Sequence, residues 1–422
     1  MRGFARAALV AGGTIAALVS VGEANASGYA IREQSGSMLG QAFAGQNAYT
    51  LDPSVIFHNP AGMSALDGRR GSLVVTGIRV QNEFDDDGST AAPFVALGTE
   101  ESGNAGEDAI VPAFYAMDSH GDWRFGLGVN APFGLSTKYE DDWIGRFAAI
   151  DSDVKSVNVN PVLSYRLNQY LSLGAGIQLQ HIDARLTNAT LTAAGPSRTE
   201  LEADDWGFGV TAGALIEPWT GTTIGVGFRS SVRHEVEGHG KISAAVGTVF
   251  RDDARAEVET PESIGLSVHQ AITDRLSLIG TVEWTNWSRF DELRVTFDSG
   301  VAPDSVTKEN WVDSYFYSLG INYQLTPKLL VRSGVAYDET PIRNKYRTAR
   351  LPDQDRLWVA GGLTYSFNDW ASVDLGYAHL FVKDSDIRET MELTPNPAPV
   401  GTLRGSYENS VDLLAIQANI RF

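Results

Sequence analysis

The sequence contains no cysteine, which excludes disulfides, thiolate nucleophiles and thiolate metal sites. Beyond residue 26 it has no apolar run near the roughly 18–20 residues that a membrane-spanning helix requires. A membrane protein built from this chain must therefore cross with strands in a closed barrel. Positive charge is scarce: 33 Lys and Arg face 52 Asp and Glu, for a net charge of −19. That balance argues against nucleic acid and other polyanions as partners. The seven histidines (58, 120, 181, 234, 239, 269 and 379) form no pattern that demands catalysis or metal binding. His234 and His239 are five apart and would fall on opposite faces of a strand. Asp85-Asp86-Asp87-Gly88 lacks the alternating ligands and closing Glu of a calcium loop. No catalytic residue, metal or cofactor is expected, and an enzyme is the weaker functional class.

What is present points to a barrel. A mean hydropathy of −0.13 with 43% hydrophobic residues is too polar for a helical bundle, yet normal for strands that show every second side chain to lipid. From Val411 to Phe422 the alternation is regular. Leu414, Ile416, Ala418, Ile420 and Phe422 share one face, and Leu413, Ala415, Gln417, Asn419 and Arg421 the other. The closing Phe resembles the assembly signal of bacterial outer-membrane proteins. At the other end Arg2 and Arg6 precede an uncharged apolar stretch from Ala7 to Val21, followed by Ala24-Asn25-Ala26. This reads as an export signal over 1–26, with maturation at Ser27.

Residues 27–68 are rich in glycine and small polar residues, with short helical possibilities around Ser37 to Gln46. Irregular backbone cannot lie unpaired in lipid, so this segment is expected as a plug inside the lumen. The barrel is expected over 69–422. Fourteen alternating segments are read, from 70–84, 108–118, 122–137, 151–167, 170–188 and 201–217 at the start to 370–384 and 405–422 at the end. Short turns such as Leu167-Asn168-Gln169, Glu217-Pro218, Thr273-Asp274, Thr326-Pro327 and Phe367-Asn368-Asp369 alternate with longer connections, among them 138–150, 189–200 and 237–252. That asymmetry is the periplasmic and extracellular signature. The expected fold is an all-β, 14-stranded antiparallel transmembrane barrel with an N-terminal plug. Tryptophans 123, 206, 219, 284, 287, 311, 358 and 370 lie near the proposed strand ends, as aromatic girdles require.

Asp52-Pro53-Ser54-Val55-Ile56-Phe57-His58-Asn59-Pro60-Ala61-Gly62-Met63 closely resembles the plug of the long-chain fatty-acid outer-membrane transporter family, whose hallmark there is Asn-Pro-Ala. The likeness continues through Asn130-Ala131-Pro132-Phe133-Gly134-Leu135, Tyr139, Trp143-Ile144-Gly145-Arg146-Phe147, Leu351 to Arg356 and Ala371 to Asp374. It implies a monomer in the bacterial outer membrane, among lipid and lipopolysaccharide. Such a protein passes a hydrophobic small molecule, with a long-chain fatty acid as the first expectation, by passive diffusion through a lumen pocket and a lateral wall opening. Uptake of monoaromatic or other hydrocarbons is the alternative, and a general porin or an adhesin-like barrel ranks below both.

The site expectations follow. Pro132 cannot donate to a ladder and Gly134 permits unusual backbone angles, so pairing must fail over Asn130 to Leu135. Asn59, with Pro60 and Ala61 beside it, is the candidate to satisfy the groups freed there. By resemblance Gly28 and Tyr29 lie in the pocket, and Trp143, Ile144 and Phe147 form an outer capture groove. Arg185 and Lys308 are possible partners for a ligand carboxylate.

Overall fold

The computed structural model describes residues 28–98, 103–395 and 397–422. The proposed export signal and Ser27 lie outside the described residues.

Fourteen antiparallel wall strands close on themselves. They are β1 (Arg70–Asp86), β2 (Ala109–His120), β3 (Trp123–Asn130 and Gly134–Lys138), β4 (Asp151–Arg166), β5 (Leu171–Thr192) and β6 (Gly195–Trp219). Next come β7 (Thr222–Arg229 and Val232–Ala244), β8 (Gly247–Thr260 and Ser263–Ala271), β9 (Leu276–Thr285 and Glu292–Phe297) and β10 (Ser305–Lys308 and Ser314–Thr326). The wall ends with β11 (Leu329–Asp338), β12 (Arg356–Ser366), β13 (Ala371–Val382 and Ser385–Glu392) and β14 (Pro399–Arg421). β1 pairs with β2 on one edge and with β14 on the other, in register from Arg70↔Arg421 to Asp86↔Gly405. Closure removes the open sheet edges that lipid would otherwise meet at β1 and β14.

Period-two side-chain alternation produces the wall. Along β1, Leu73 and Val75 face outward while Val74, Thr76 and Ile78 are buried in the lumen. Along β14, Leu414 and Ile416 face outward while Leu413, Ala415 and Gln417 are buried. The periplasmic turns are held by side chains. Asn168 Oδ1 accepts from the N–H groups of Tyr170 and Leu171, Thr273 Oγ1 from those of Arg275 and Leu276, and Asn368 Oδ1 from those of Trp370 and Ala371.

Two expected boundaries move. The connections expected at 189–200 and 237–252 are instead continuous hairpins: β5 and β6 pair up to Thr192↔Gly195, and β7 and β8 up to Ala244↔Gly247. A bilayer needs only about 9–11 strand residues, so these hairpins extend above the membrane, where their inner faces still pack: Asn188, Thr190, Thr199 and Ile242 are buried, and Ala189 and Leu191 lie against the loop core. There the hydropathy alternation fades although the ladder continues. The turn expected at Glu217-Pro218 lies later, since β6 runs to Trp219.

The tryptophans divide between two roles. Trp123, Trp206, Trp219 and Trp370 are exposed on the outer wall as girdles, whereas Trp287, Trp311 and Trp358 are buried inside.

Residues from Gly28 to Ala65 fill the lumen through three short elements, α1 (Gly36–Leu39), α2 (Val55–His58) and a 3-10 turn (Pro60–Ala65). Every residue from Glu33 to Ala48 is buried. Glycines of the wall receive this backbone. A Cβ at Gly213 would sit 1.9 Å from Asn59 Oδ1, and one at Gly174 would sit 2.4 Å from the Ala61 nitrogen. Glycine inside these strands marks close approach of another chain segment.

Candidate functional site: a broken wall, a lumen cavity and an outer groove

The wall fails where Pro132 and Gly134 require it. β2 and β3 are paired from His120↔Trp123 only as far as Phe114↔Val129. Contact between the two resumes at the Gly106↔Thr137 bridge, with Lys138 N–H donating to Ala105 O at 3.0 Å. Between these points β2 keeps its bonds to β1, and β3 bends into the lumen. On its other side β3 stays paired with β4, through Asn130↔Asn158 and then, one residue out of register past the bend, Gly134↔Lys155. The result is a lateral window between β2 and β3.

The bent segment is satisfied by the N-terminal chain. Gln34 donates to Ala131 O at 2.6 Å and accepts from Ala131 N at 3.2 Å. Ile31 N donates to Pro132 O, and Gly134 N donates to Tyr29 O, both at 2.8 Å. Ser156 Oγ accepts from Phe133 N and donates to Phe133 O. Every backbone polar group from Ala131 N to Gly134 N thus has a partner, as burial demands. Asn130 accepts at 3.1 Å from Asn158, while its own Nδ2 has no protein partner.

Asn59 does not do this work, contrary to the expectation. Its Oδ1 accepts from Ala61 N at 3.0 Å as an N-cap, and its Nδ2 donates to Asn47 O at 2.6 Å and Ala214 O at 3.0 Å. It therefore ties the Pro60-Ala61 turn to the plug and to β6, on a different part of the wall from β3. Asparagine at the head of Pro-Ala is spent on its own turn before it can reach another strand.

Tyr29 faces the lumen. It lines an apolar cavity of about 1040 Å3 together with Leu135, Val154, Ile182, Leu186, Leu201, Val258, Leu293 and Trp311. Its ring meets Trp287 (centroids 4.9 Å), Phe133 (5.6 Å), Trp311 (5.9 Å) and Phe290 (6.1 Å), and its buried hydroxyl has no partner. Gly28 is not part of the lining. It packs against the Trp287 and Trp311 rings at φ +62° and donates to Asp353 Oδ2 at 3.1 Å. Arg185 is also excluded. Ala184 and Leu186 point into the cavity, so alternation turns Arg185 outward, where Asp151 (3.1 Å), Glu202 (3.3 Å) and Glu200 (3.5 Å) neutralise it.

Above the cavity a groove of about 1870 Å3 opens outward. Leu186, Leu201, Leu293, Glu309, Thr348 and Arg350 line both spaces, so the two adjoin across these side chains. Phe147 lines the groove. Trp143 does not: it is fully buried, stacked on Tyr139 at 3.9 Å, with its indole N–H donating to Ala149 O. Ile144 packs against this same loop core. Aromatic size made Trp143 a candidate contact, but the same size makes it the centre of the core that shapes the loop.

The groove gathers Lys308, Lys345, Arg347, Arg350 and Arg388 in an otherwise acidic chain. Arg350 stands at the junction and donates to Ser152 Oγ (3.1 Å) and to the carbonyls of Thr187 and Asp151. Burial pushes the Glu309 and Glu389 carboxyls up to about 7. Trp311 Nε1 donates to Glu309 at 2.9 Å, and Ala349 N donates to Glu389 at 2.8 Å. Arg350 was not a sequence candidate, because nothing in its local spacing distinguishes it from its neighbour Arg347.

Comparison with known proteins agrees with this geometry. The family model described as outer membrane protein transport protein (OMPP1/FadL/TodX) matches residues 17–422. The putative outer membrane protein NMB0088 of Neisseria meningitidis is 29% identical over 97% of each chain. A long-chain fatty acid transport protein of Escherichia coli O6:H1 is 27% identical over 86% of this chain and 89% of its own. The crystal structure of a Pseudomonas aeruginosa FadL homologue superposes with a TM-score of 0.86, at 23% identity, over 93% of this chain and 99% of that one. With window, cavity and groove in place on a closed 14-strand barrel, the chain belongs to the OMPP1/FadL/TodX family of outer-membrane transport proteins, which are channels rather than enzymes.

Proposed function

We propose that the protein carries long-chain fatty acids across the outer membrane without an energy source. The ligand is caught in the outer groove, held in the apolar cavity and released sideways through the window between β2 and β3. The observation that carries the choice of ligand is Arg350, a cation at the junction of the apolar cavity and an outer groove lined by both basic and acidic side chains, whose hydrogen bonds among the described residues go to neutral acceptors. It offers a carboxylate head a partner while the tail enters the cavity.

The energetics suit a protein conduit. An acyl chain of about sixteen methylenes gains roughly 13 kcal/mol on leaving water, at about 0.8 kcal/mol each. Entry is thus favourable and release is the difficult step. The segment Gly28 to Gln34 both walls the cavity and closes the window, so its displacement opens the way out.

A second reading, uptake of monoaromatic hydrocarbons, draws on the cluster of Tyr29, Phe133, Trp287, Phe290 and Trp311. Uptake of radiolabelled oleate and toluene decides between them, in a host lacking its own outer-membrane fatty-acid transporter. The expected result is oleate uptake that falls about tenfold in Arg350→Gln. Toluene uptake alone, unaffected by that change, assigns hydrocarbons instead.

A further inference from the structure

Behind the broken wall lies a second, polar chamber of about 780 Å3, lined by Arg32, Arg229, His58 and Gln178 and by the carboxylates Glu283 and Asp338 among others. It is separate from the apolar cavity. Tyr29 lines the cavity, whereas Ala30, Ile31 and Arg32 line the chamber, so the N-terminal segment is the partition between the two. Pro132 and Phe133 of the bent β3 segment also line the chamber, which places it directly inside the window.

The two arginines in this chamber differ. Arg32 is neutralised by Glu283 at 2.7 Å and lies 3.8 Å over the Phe316 ring. Arg229 has no carboxylate within 4.0 Å among the described residues; it donates to Phe57 O and to Gln178 Oε1, and stands 4.4 Å over the Phe57 ring. The wall supplies the reason it projects here. β7 is interrupted at Ser230 and Ser231, immediately after Arg229, and Ser230 substitutes for ladder bonds by accepting from Val210 N through Oγ. A half-buried guanidinium satisfied by neutral acceptors alone is a receptor for an anion, because a charge-assisted bond is stronger than the neutral ones it replaces.

We propose that Arg229 is a transit site that receives the carboxylate of an amphipathic ligand after it leaves the apolar cavity and before it passes the window. This rests on the fatty-acid reading above. Displacing Tyr29 to Arg32 joins cavity and chamber, and the headgroup then moves from the Arg350 junction to Arg229 while the tail turns toward the window beside Pro132 and Phe133.

The test compares uptake of radiolabelled oleate with that of oleyl alcohol, which has the same tail and no charge, in cells producing the parent, Arg229→Gln or Arg229→Lys. Barrel assembly is verified by heat-modifiable migration on gels. The expected result is oleate uptake reduced about tenfold in Arg229→Gln, largely retained in Arg229→Lys, with oleyl alcohol unchanged within twofold in both. Equal loss of acid and alcohol assigns Arg229 a structural role and overturns the proposal, as does unaltered oleate uptake in Arg229→Gln. Failure of the parent to take up oleate while it takes up toluene overturns the fatty-acid reading itself, and the transit site with it. An Arg229→Gln chain that does not assemble moves the comparison to Gln178→Glu, which keeps the guanidinium but pairs it with a carboxylate where it now meets a neutral amide. Oleate-selective loss in Gln178→Glu, with oleyl alcohol unchanged within twofold, then supports the site, and the absence of such selectivity rejects it.

Discussion

Replacing Gln34 by leucine tests whether the N-terminal segment closes the window. Gln34 is fully buried and holds both polar groups of Ala131. Leucine keeps the volume and removes both bonds, leaving a buried N–H and a buried C=O unpaired. Each such group costs about 1–3 kcal/mol, so the closed arrangement loses about 4 kcal/mol. At 1.4 kcal/mol per factor of ten, local opening becomes about a thousandfold more frequent. Amide exchange followed by mass spectrometry reads this directly. Ile31 and Gly134, whose N–H groups bridge segment and wall, should lose about three orders of magnitude of protection. Val75 and Ile416, paired across the closing β1–β14 ladder, should be unchanged. Asn59→Ala is the contrast: it should loosen Asn47 and Ala61 and leave Ile31 protected, since its bonds go elsewhere. Unaltered protection of Ile31 and Gly134 in Gln34→Leu, or equal loss at Val75, refutes the reasoning.

Gly213→Ala places a Cβ 1.9 Å from Asn59 Oδ1, and the plug has to withdraw. In planar bilayers this variant should show frequent large conductance steps, where the parent stays closed. Acidity acts at the cavity junction. At pH 8 Glu309 and Glu389 are ionised and oppose an incoming anion beside Arg350, Lys308 and Trp311. At pH 6 both are mostly protonated, because burial raises each to about 7. Affinity for hexadecyl sulfonate, which stays ionised throughout, should therefore rise as pH falls from 8 to 6. Glu309→Gln should weaken that dependence, as measured by quenching of tryptophan fluorescence.

The fold was legible where one face of a strand meets lipid and the other does not. β1 and β14 carry that alternation in their residues, and Asn168, Thr273 and Asn368 advertise their turns. It became illegible above the membrane, where Thr192 and Gly195 join strands whose outer face no longer meets lipid and whose inner face buries polar residues such as Asn188, Thr190 and Thr199. The wall break was legible because Pro132 and Gly134 act through the backbone, a local property. What satisfies the break was not, since Gln34 and Ala131 are 97 residues apart and no spacing rule links them. Arg185 shows a finer limit: a one-residue error of register moves a side chain from lumen to exterior. Arg229 had a signal that went unused, the Ser230-Ser231 pair that ends regular pairing just after it. The wall glycines had one as well, since Gly174 and Gly213 interrupt strand patterns where the plug backbone docks.

The plug grips both sides of the seam that closes the cylinder. Gln417 of β14 accepts from Gly36 N at 2.9 Å and Ser37 N at 3.3 Å, and Thr76 of β1 donates to Glu33 O at 3.1 Å. β1 and β14 are also the most distant partners in the chain, and contacts of such separation carry the largest loop-closure cost. A segment bonded to both margins of that seam cannot be posted into a finished cylinder through a gap it has already sealed. It has to be enclosed as the last ladder zips, so biogenesis of the empty wall and docking of its stopper are one cooperative event, and loss of the seam bonds at Glu33, Gly36 and Ser37, unlike loss of the Gln34 bonds to β3, should appear first as failed assembly.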